Sequence, residues 1–303
     1  MFNKVIKFLK NPIWLLVFLN NRRIFCLPDK IYLKIIYWCN FNKKLNLDNP
    51  QTFNEKLQWL KLYDRKEIYS KMVDKYEVKK IIENSIGSEY VIPTYGVYQN
   101  FDEINFEELP SSFVIKCTHF GGNKGVVVVP DKSKINIKKI RKEINVVMKK
   151  NLFYSGREWP YKNVKPRIIV EKYVSDKSGI LNDFKLQTFN GKVAYSFVCT
   201  NRALGNVKYT FFDKNKKFIP VMQCGAKNDL ENAKLPNNYE KFVELAERLA
   251  KNLPEVRVDF YDVDGKIYFG ELTFFDSSGF GKFEPEEWDY KFGQMLKLPK
   301  KGE

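Results

Sequence analysis

The stretch Val256-Arg257-Val258-Asp259-Phe260-Tyr261, followed by Phe269-Gly270-Glu271-Leu272-Thr273, decides how this chain is read. Val263-Asp264-Gly265 lies between the two strand-like runs, so together they predict a β-hairpin. Turn length sets the register. A two-residue turn at Asp264-Gly265 puts Asp259 and Glu271 on opposite faces. A three-residue loop, with Gly265 in the left-handed conformation of a bulge, pairs Arg257 with Glu271 and leaves Asp259 diagonal to both. This second register also sorts the side chains, with Val256, Val258, Phe260, Tyr268 and Leu272 on one face and Arg257, Asp259 and Glu271 on the other. It is the expected one. Two carboxylates and a guanidinium on a sheet face suit an oxygen-ligated Mg²⁺ bridged to phosphates. Taken by itself, however, the hairpin fits a solvated face with a surface Arg–Glu pair better.

Working outward, residues 1–46 read as helices rich in aromatics and lysine. Thr52 and Glu55 form the capping box of a helix that carries Phe53, Leu57 and Leu60 on one face. A further helix is expected over about 67–85, carrying Lys75 and stopping near Gly87. Residues 91–96 then lead, extended, into a β-rich section. Apolar strands at 113–117 and 125–129 enclose the loop His119-Phe120-Gly121-Gly122-Asn123-Lys124. After a helix at about 136–150 comes a strand at 168–174. A second hairpin follows, 183–189 returning through 193–198, with its turn at Asn190-Gly191. A helix at about 237–252 precedes the 256–273 hairpin. Strands, then helix, then strands in two blocks predict an α+β protein of two lobes.

The chain has 303 residues, enough for about two domains, and its 44% apolar and 16% aromatic content excludes a disordered tail. The net charge of +16 points to anionic partners without choosing between nucleic acid, lipid surface, glycan and nucleotide phosphates. Cys26, Cys39, Cys117, Cys199 and Cys224 are odd in number and dispersed, which favours a reducing cytoplasm over a disulfide framework. With His119 the single histidine and no paired cysteines, a zinc site is not expected. The apolar run Ile13-Trp14-Leu15-Leu16-Val17-Phe18-Leu19 is too short to span a bilayer. Lys4, Lys7, Lys10, Arg22 and Arg23 flank it, and the small-residue cleavage site of a signal peptide is missing. It reads as a helix that packs on the body or, less favoured, lies on the inner membrane surface.

Several residues could carry chemistry. Lys116 ends an apolar strand directly before the glycine-bearing loop, a unit that can lay backbone N–H groups and one point charge on a polyphosphate. It is neither a Walker A loop nor a kinase loop, and a plain glycine hairpin is the blander reading. Glu171 ends a strand where exposed backbone could meet an adenine edge. Asp183 and Lys185 share a strand face, and Arg202 begins a loop from which it could neutralise phosphate charge. For these three, an exposed surface is the favoured reading residue by residue. His119, in its polar loop, is expected to contact phosphate or acceptor rather than the core.

The order of these signals is more distinctive than any one of them. Lys75, Lys116, Glu171, Asp183, Arg257, Asp259 and Glu271 follow one another as in the ATP-grasp superfamily. More narrowly, Asn49-Pro50-Gln51-Thr52-Phe53-Asn54-Glu55-Lys56-Leu57-Gln58-Trp59, Asp74-Lys75-Tyr76, Phe113-Val114-Ile115-Lys116-Cys117, Ile169-Val170-Glu171, Asp183-Phe184-Lys185, Phe189-Asn190-Gly191-Lys192 and Phe269-Gly270-Glu271-Leu272-Thr273-Phe274 resemble the TupA-like ATP-grasp family. That family is associated with teichuronopeptide and other bacterial surface polysaccharides. The resemblance implies an α+β ATP-grasp fold, with antiparallel sheets of two lobes sandwiching ATP. Its expected divisions are a helical segment over 1–66, a glycine-loop lobe over 67–174 and a metal-binding lobe over 175–303. It implies that Lys75, Lys116 and the loop with His119, Gly121 and Gly122 bind phosphates. Glu171 and the backbone from Lys172 to Val174 would meet adenine, and Asp183 the ribose. Asp259 and Glu271 would hold Mg²⁺, Arg257 would steady the transferred phosphoryl group, and Lys185 and Arg202 would assist. Thr273 stands where the superfamily usually has Asn, offering the metal a hydroxyl, a poorer ligand than an amide oxygen. Phe120 stands where a smaller loop residue is commoner.

The activity so implied is an ATP- and Mg-dependent carboxylate–amine ligase working through an acyl-phosphate, with a uronic acid or amino acid as acceptor during capsule or cell-wall glycan assembly. The alternative is a phosphotransferase or glycosyltransferase of the same pathway. The expected partners are ATP, an anionic glycan or uronic-acid acceptor and an amine donor. The expected location is the cytoplasm, with peripheral membrane association through the basic N-terminal segment as an addition. Nucleic acid is not expected, because the basic residues are dispersed and no RNA-binding signature is present.

Overall fold

A computed structural model of the protein describes residues 13–177, 181, 183–201 and 205–301. The described helices are α1 (Ile13–Asn21), α2 (Asp29–Phe41), α3 (Phe53–Tyr63), α4 (Glu67–Val73), α5 (Glu77–Ser85), α6 (Ile137–Met148), α7 (Phe153–Gly156), α8 (Tyr239–Leu249) and α9 (Glu287–Met295). The strands are β1 (Thr94–Tyr98), β2 (Phe113–Cys117), β3 (Val126–Val129), β4 (Ile168–Lys172), β5 (Asp183–Phe189), β6 (Lys192–Thr200), β7 (Lys208–Asp213), β8 (Phe218–Ile219), β9 (Met222–Gln223), β10 (Glu255–Val263), β11 (Lys266–Thr273) and β12 (Phe283–Glu284). Two antiparallel sheets dominate, one of four strands ordered β1-β4-β2-β3 and one of six ordered β11-β10-β5-β6-β7-β8. The α+β expectation holds.

Each sheet has its own core. Phe113, Ile115, Ile168 and Val170 of the four-stranded sheet bury against Ile140, Ile144 and Val147, the apolar stripe of α6. On the larger sheet, Phe184, Leu186, Val198, Val256, Val258, Phe260 and Leu272 pack under α8, where Phe242 sits edge-on to both Phe184 and Phe260. The N-terminal helices share this second core through Tyr32, Leu33, Phe53, Leu57 and Leu60. In α1, Val17 is buried and Trp14 half-buried, whereas Leu15 and Leu16 stay 43% exposed. No helix among the described residues is long and apolar enough to cross a membrane.

The capping box forms as expected: the Glu55 N–H donates to Thr52 Oγ1 at 3.2 Å and the Thr52 N–H donates to a Glu55 carboxylate oxygen at 3.2 Å. The single helix expected over 67–85 does not form. Asp74 accepts the Tyr76 N–H at 2.8 Å and a guanidinium N–H of Arg167 at 2.7 Å, ending α4 early by offering the backbone another partner. Lys75 therefore lies in the break between α4 and α5, not on a helix. Its own N–H is tied to the Thr118 carbonyl at 3.1 Å, just beyond β2.

The hairpin register also needs correction. Val263 pairs with Lys266 across a two-residue turn, with φ of 52° at Asp264 and 87° at Gly265. Both turn residues take positive φ, which suits Asp-Gly in a type I′ hairpin. A bulge at Gly270 then shifts the pairing, so that Phe260 faces Phe269 but Asp259 faces Glu271 and Arg257 faces Thr273. The three-residue loop and the Arg257–Glu271 pair are overturned. So is the place of Tyr268, which pairs with Tyr261, while Phe269 takes the core position under Phe260. A side chain on Gly270 would come within 3.1 Å of the Asp259 carbonyl, which is why the bulge falls on glycine.

Candidate active site

The bulge lines up three strands. Lys185 on β5 pairs with Asp259 on β10, which pairs with Glu271 on β11, so the three polar side chains form one rung. The next rung is Gln187, Arg257 and Thr273, and the one on the other side is Asp183, Tyr261 and Tyr268. Residues two apart on a strand point to the same face, so the first two rungs share one face of the sheet and Arg257 lies directly beside Asp259. Its Nε and one terminal nitrogen donate to the two oxygens of Asp259 at 2.7 and 2.8 Å, a bidentate fork. The other terminal nitrogen pairs with Asp276, and Lys185 Nζ pairs with Asp259 and, at 3.0 Å, with Asp183. Burial disfavours the Arg257 charge, but Asp259 and Asp276 outweigh it and hold the pKa well above the ordinary value.

Glu271 is the more open carboxylate, its side chain 29% exposed. It accepts from Thr273 Oγ1 at 3.2 Å and lies 3.5 Å from Arg257 and 3.3 Å from Lys75 Nζ. Burial pushes its pKa up, but Lys75, Lys185 and Arg257 together pull it down to about 2. Lys75 thus joins the α4–α5 break to the large sheet across a cavity of about 430 Å³.

The opposite wall comes from the smaller sheet. Glu171 is 4% exposed and bridges Lys79 at 2.5 Å and Lys116 at 2.6 Å. Burial opposes its charge, and the two lysines overcome that and lower its pKa. Strand β4 lies between β1 and β2, and its ladder ends at Lys172, whose N–H goes to the Pro93 carbonyl at 2.9 Å. Hinge backbone outside the ladder therefore starts at Tyr173 and Val174, beyond Glu171. Gly121, Gly122 and Asn123 line the cavity with Lys75 and Lys116. His119 does not join them. It is 2% exposed, with Nε2 3.3 Å from the Val147 carbonyl, and burial lowers its pKa, so it is a neutral packing residue under the loop. Phe120 is buried in the small core and anchors the loop from below. Arg202 lies outside the described residues.

The TupA-like ATPgrasp family model matches residues 55–297 of this sequence. The chain belongs to that family. Among solved structures it is similar to D-alanine–D-alanine ligase from Helicobacter pylori, with 16% identity over 80% of this chain and 69% of that one, at a TM-score of 0.44. It is similar to the Bacillus anthracis D-alanine–D-alanine ligase at 21% identity, covering 67% of this chain and 57% of that chain, TM-score 0.38. A biotin carboxylase from Campylobacter jejuni gives 16% identity over 82% and 49%, TM-score 0.38. The chain thus spans a little over half of the Bacillus anthracis protein and about half of the biotin carboxylase. A comparison with curated proteins found no match.

In this TupA-like chain the donors available to a metal are hard oxygens: Asp259, Glu271 and the Thr273 hydroxyl. Among the described residues no group of three acidic, histidine or cysteine side chains is placed to hold a metal ion by itself. Mg²⁺ needs no such cage, since it takes one or two carboxylates and completes its shell with water and substrate phosphate. The set fits that pattern, with Glu271 foremost, because both Asp259 oxygens are engaged by Arg257 and Lys185.

Sequence reading missed several cavity residues: Asp276, which holds Arg257; Gln223, which donates to Asp276 at 2.5 Å; and Phe197, Glu158, Tyr161, Ser277 and Ser278. It also missed Lys79. The available signal was Asp276-Ser277-Ser278-Gly279, a polar turn directly after the Glu271 strand.

Proposed function

We propose that this protein is an ATP- and Mg-dependent carboxylate–amine ligase that activates a uronic acid or amino acid as its acyl-phosphate during assembly of a surface polysaccharide. The observation that carries this reading is the pairing of a lysine-rich wall with a carboxylate-rich rung across one cavity. Family membership supports the nucleotide, and the motif resemblance described above motivates the polysaccharide role.

Lys75, Lys116 and the backbone of Gly121 and Gly122 bind the phosphates in this reading. Tyr173 and Val174, with Glu171 and Lys172 at the strand end, meet adenine, and Asp183 the ribose. Glu271, Asp259 and Thr273 hold the metal, which when bound would neutralise charge on the transferring phosphoryl oxygens. Arg257 is fixed in place by two carboxylates and so acts as a preorganised cation, with little freedom left to lose on binding. Lys185, held by Asp183 and Asp259, adds a second cation. The acceptor carboxylate attacks the γ-phosphorus, ADP leaves, and an amine then displaces phosphate to leave an amide. For the phosphoryl-transfer step the protein's task is positioning and charge neutralisation.

The test is incubation with Mg·ATP, candidate acids and candidate amines, following ADP and product mass. Stoichiometric ADP and amide are expected; amide without ADP, or a fully active Asp259→Asn, overturns the reading. A phosphorylated or glycosylated acceptor instead of an amide would establish the alternative chemistry. Leu15, Leu16, Ile31 and Trp38 are exposed near Arg22, Arg23 and Lys34, a composition suited to an anionic bilayer surface. Co-sedimentation with phosphatidylglycerol vesicles and not with phosphatidylcholine vesicles is the expected result.

A further inference from the structure

The cavity has a second end that the nucleotide reading leaves unused. A chain of contacts runs along it from Lys75 to Glu271, Arg257, Asp276 and Gln223. Beyond Asp276 the wall is made by Ser277, Ser278 and Glu158. Phe275, Ser277 and Ser278 have φ of 62°, 49° and 56°, three non-glycine residues in the left-handed region within four positions. Such backbone persists where the surroundings over-determine it, and it gathers at ligand sites. Here the surroundings are specific. Glu255 accepts the Phe275 N–H at 3.1 Å, and Gln58 donates to the Gly279 carbonyl at 2.6 Å. Lys61, fully buried, donates to the carbonyls of Gly156 and Ser278, each at 2.7 Å. Gln58 belongs to the 49–59 segment and Lys61 to the same helix, so this early part of the chain builds the far wall.

Glu158 is 8% exposed, lines the cavity and hydrogen-bonds the Ser278 side chain. The charged and titratable groups that act on it electrostatically are Lys61, Asp276, Glu271 and Tyr161. Burial raises its pKa and Lys61 opposes the rise.

Resting on the ligase reading above, we infer that this end of the cleft receives the amine co-substrate as an ammonium ion, and that Glu158 takes its proton. The Glu158 carboxylate and the hydroxyls of Ser277 and Ser278 give this end the hydrogen-bond acceptors that an ammonium group needs. An ammonium ion cannot attack. Transfer of one N–H proton to the Glu158 carboxylate frees the nitrogen lone pair; the C–N bond forms at the acyl carbon and the C–O bond to phosphorus breaks. Phosphate leaves with that electron pair and takes up the second nitrogen proton. Lys61 steadies the carboxylate before transfer and is a positioning residue.

Hydroxylamine separates the steps, because it is largely neutral at about pH 7 and attacks an acyl-phosphate without prior proton loss. The full chain and its Glu158→Gln variant are compared with Mg·ATP, glucuronate, galacturonate or L-glutamate as acid, and glycine, L-glutamate or hydroxylamine as nucleophile. Amide formation should fall about 100-fold or more in the variant. Hydroxamate formation and the Mg·ATP-induced rise in Tm should stay within about threefold and 1 °C of the unaltered chain, as rough bounds. Since Glu158→Gln leaves Lys61 uncompensated, a Lys61→Met/Glu158→Gln variant repeats the measurement with both buried charges gone. Amide and hydroxamate falling together, or neither falling, overturns the inference alone. An unaltered chain that yields neither product and no nucleotide-dependent Tm rise overturns the ligase reading and this inference with it.

Discussion

The two walls of the cavity use buried charge in opposite proportions. On the small-sheet side three ammonium groups, Lys75, Lys79 and Lys116, stand around one carboxylate, Glu171. On the large-sheet side four carboxylates, Asp183, Asp259, Glu271 and Asp276, surround two cations, Lys185 and Arg257. One wall is left with positive charge to offer and the other with negative. A bound polyanion answers the first and a divalent cation the second, so a metal–triphosphate complex satisfies both at once. The difference also divides labour. Glu171 and Asp259 orient cations, whereas Lys75, Lys116 and Glu271 face the space between.

The largest consequence lies on the carboxylate side. Arg257→Leu leaves Asp259 and Asp276 buried without their guanidinium and should cost about 3–5 kcal/mol of stability, read by urea unfolding. On the lysine side, Lys116→Met leaves Glu171 its bond to Lys79, so the loss should be about 1–2 kcal/mol. The same variant should bind ATP about tenfold more weakly in calorimetric titration. Equal destabilisation by the two variants would erase the contrast between the walls. A third measurement concerns pH. Glu271 falls from an ordinary 4.5 to about 2 in the folded chain, so the stability it contributes is present above pH 4.5 and lost as pH drops towards 2. Glu271→Gln should flatten the unfolding free energy against pH across that window. The smallest effect is remote from the walls: Thr52→Ala removes the helix cap and should cost about 1 kcal/mol by the same urea assay, with ATP affinity unchanged.

Much of this was legible in the residues. The capping box, the existence of both hairpins, the turn at Asn190-Gly191 and the antiparallel α+β plan follow from local patterns, and local patterns are what a sequence displays. The register of the 256–273 hairpin was not legible, since Ile267, Tyr268 and Phe269 are all apolar and so hide where the extra residue at Gly270 breaks the alternation. The helix break at Asp74 hid for a related reason: its partner Arg167 is 93 residues away. His119 looked like a loop residue from its glycine neighbours, yet the α6 carbonyl at Val147 captures its ring. Lys75, Lys116, Asp259 and Glu271 are brought to one cavity, while Glu158 and the 276–278 turn stayed unseen because nothing in their local sequence announces a contact with α3.

That helix has a temporal consequence. Asn54 donates to the Gly281 carbonyl at 2.9 Å, and Lys56 Nζ to the carbonyls of Gly293 and Leu296 at 2.6 and 2.7 Å, spanning 227 to 240 residues of sequence. During synthesis α3 emerges early and must wait for almost the entire remaining chain before its partners exist. The amphipathic surface it presents meanwhile is a natural client for a holdase, and a ribosome stalled before residue 280 would carry a nascent chain whose central cavity lacks one wall.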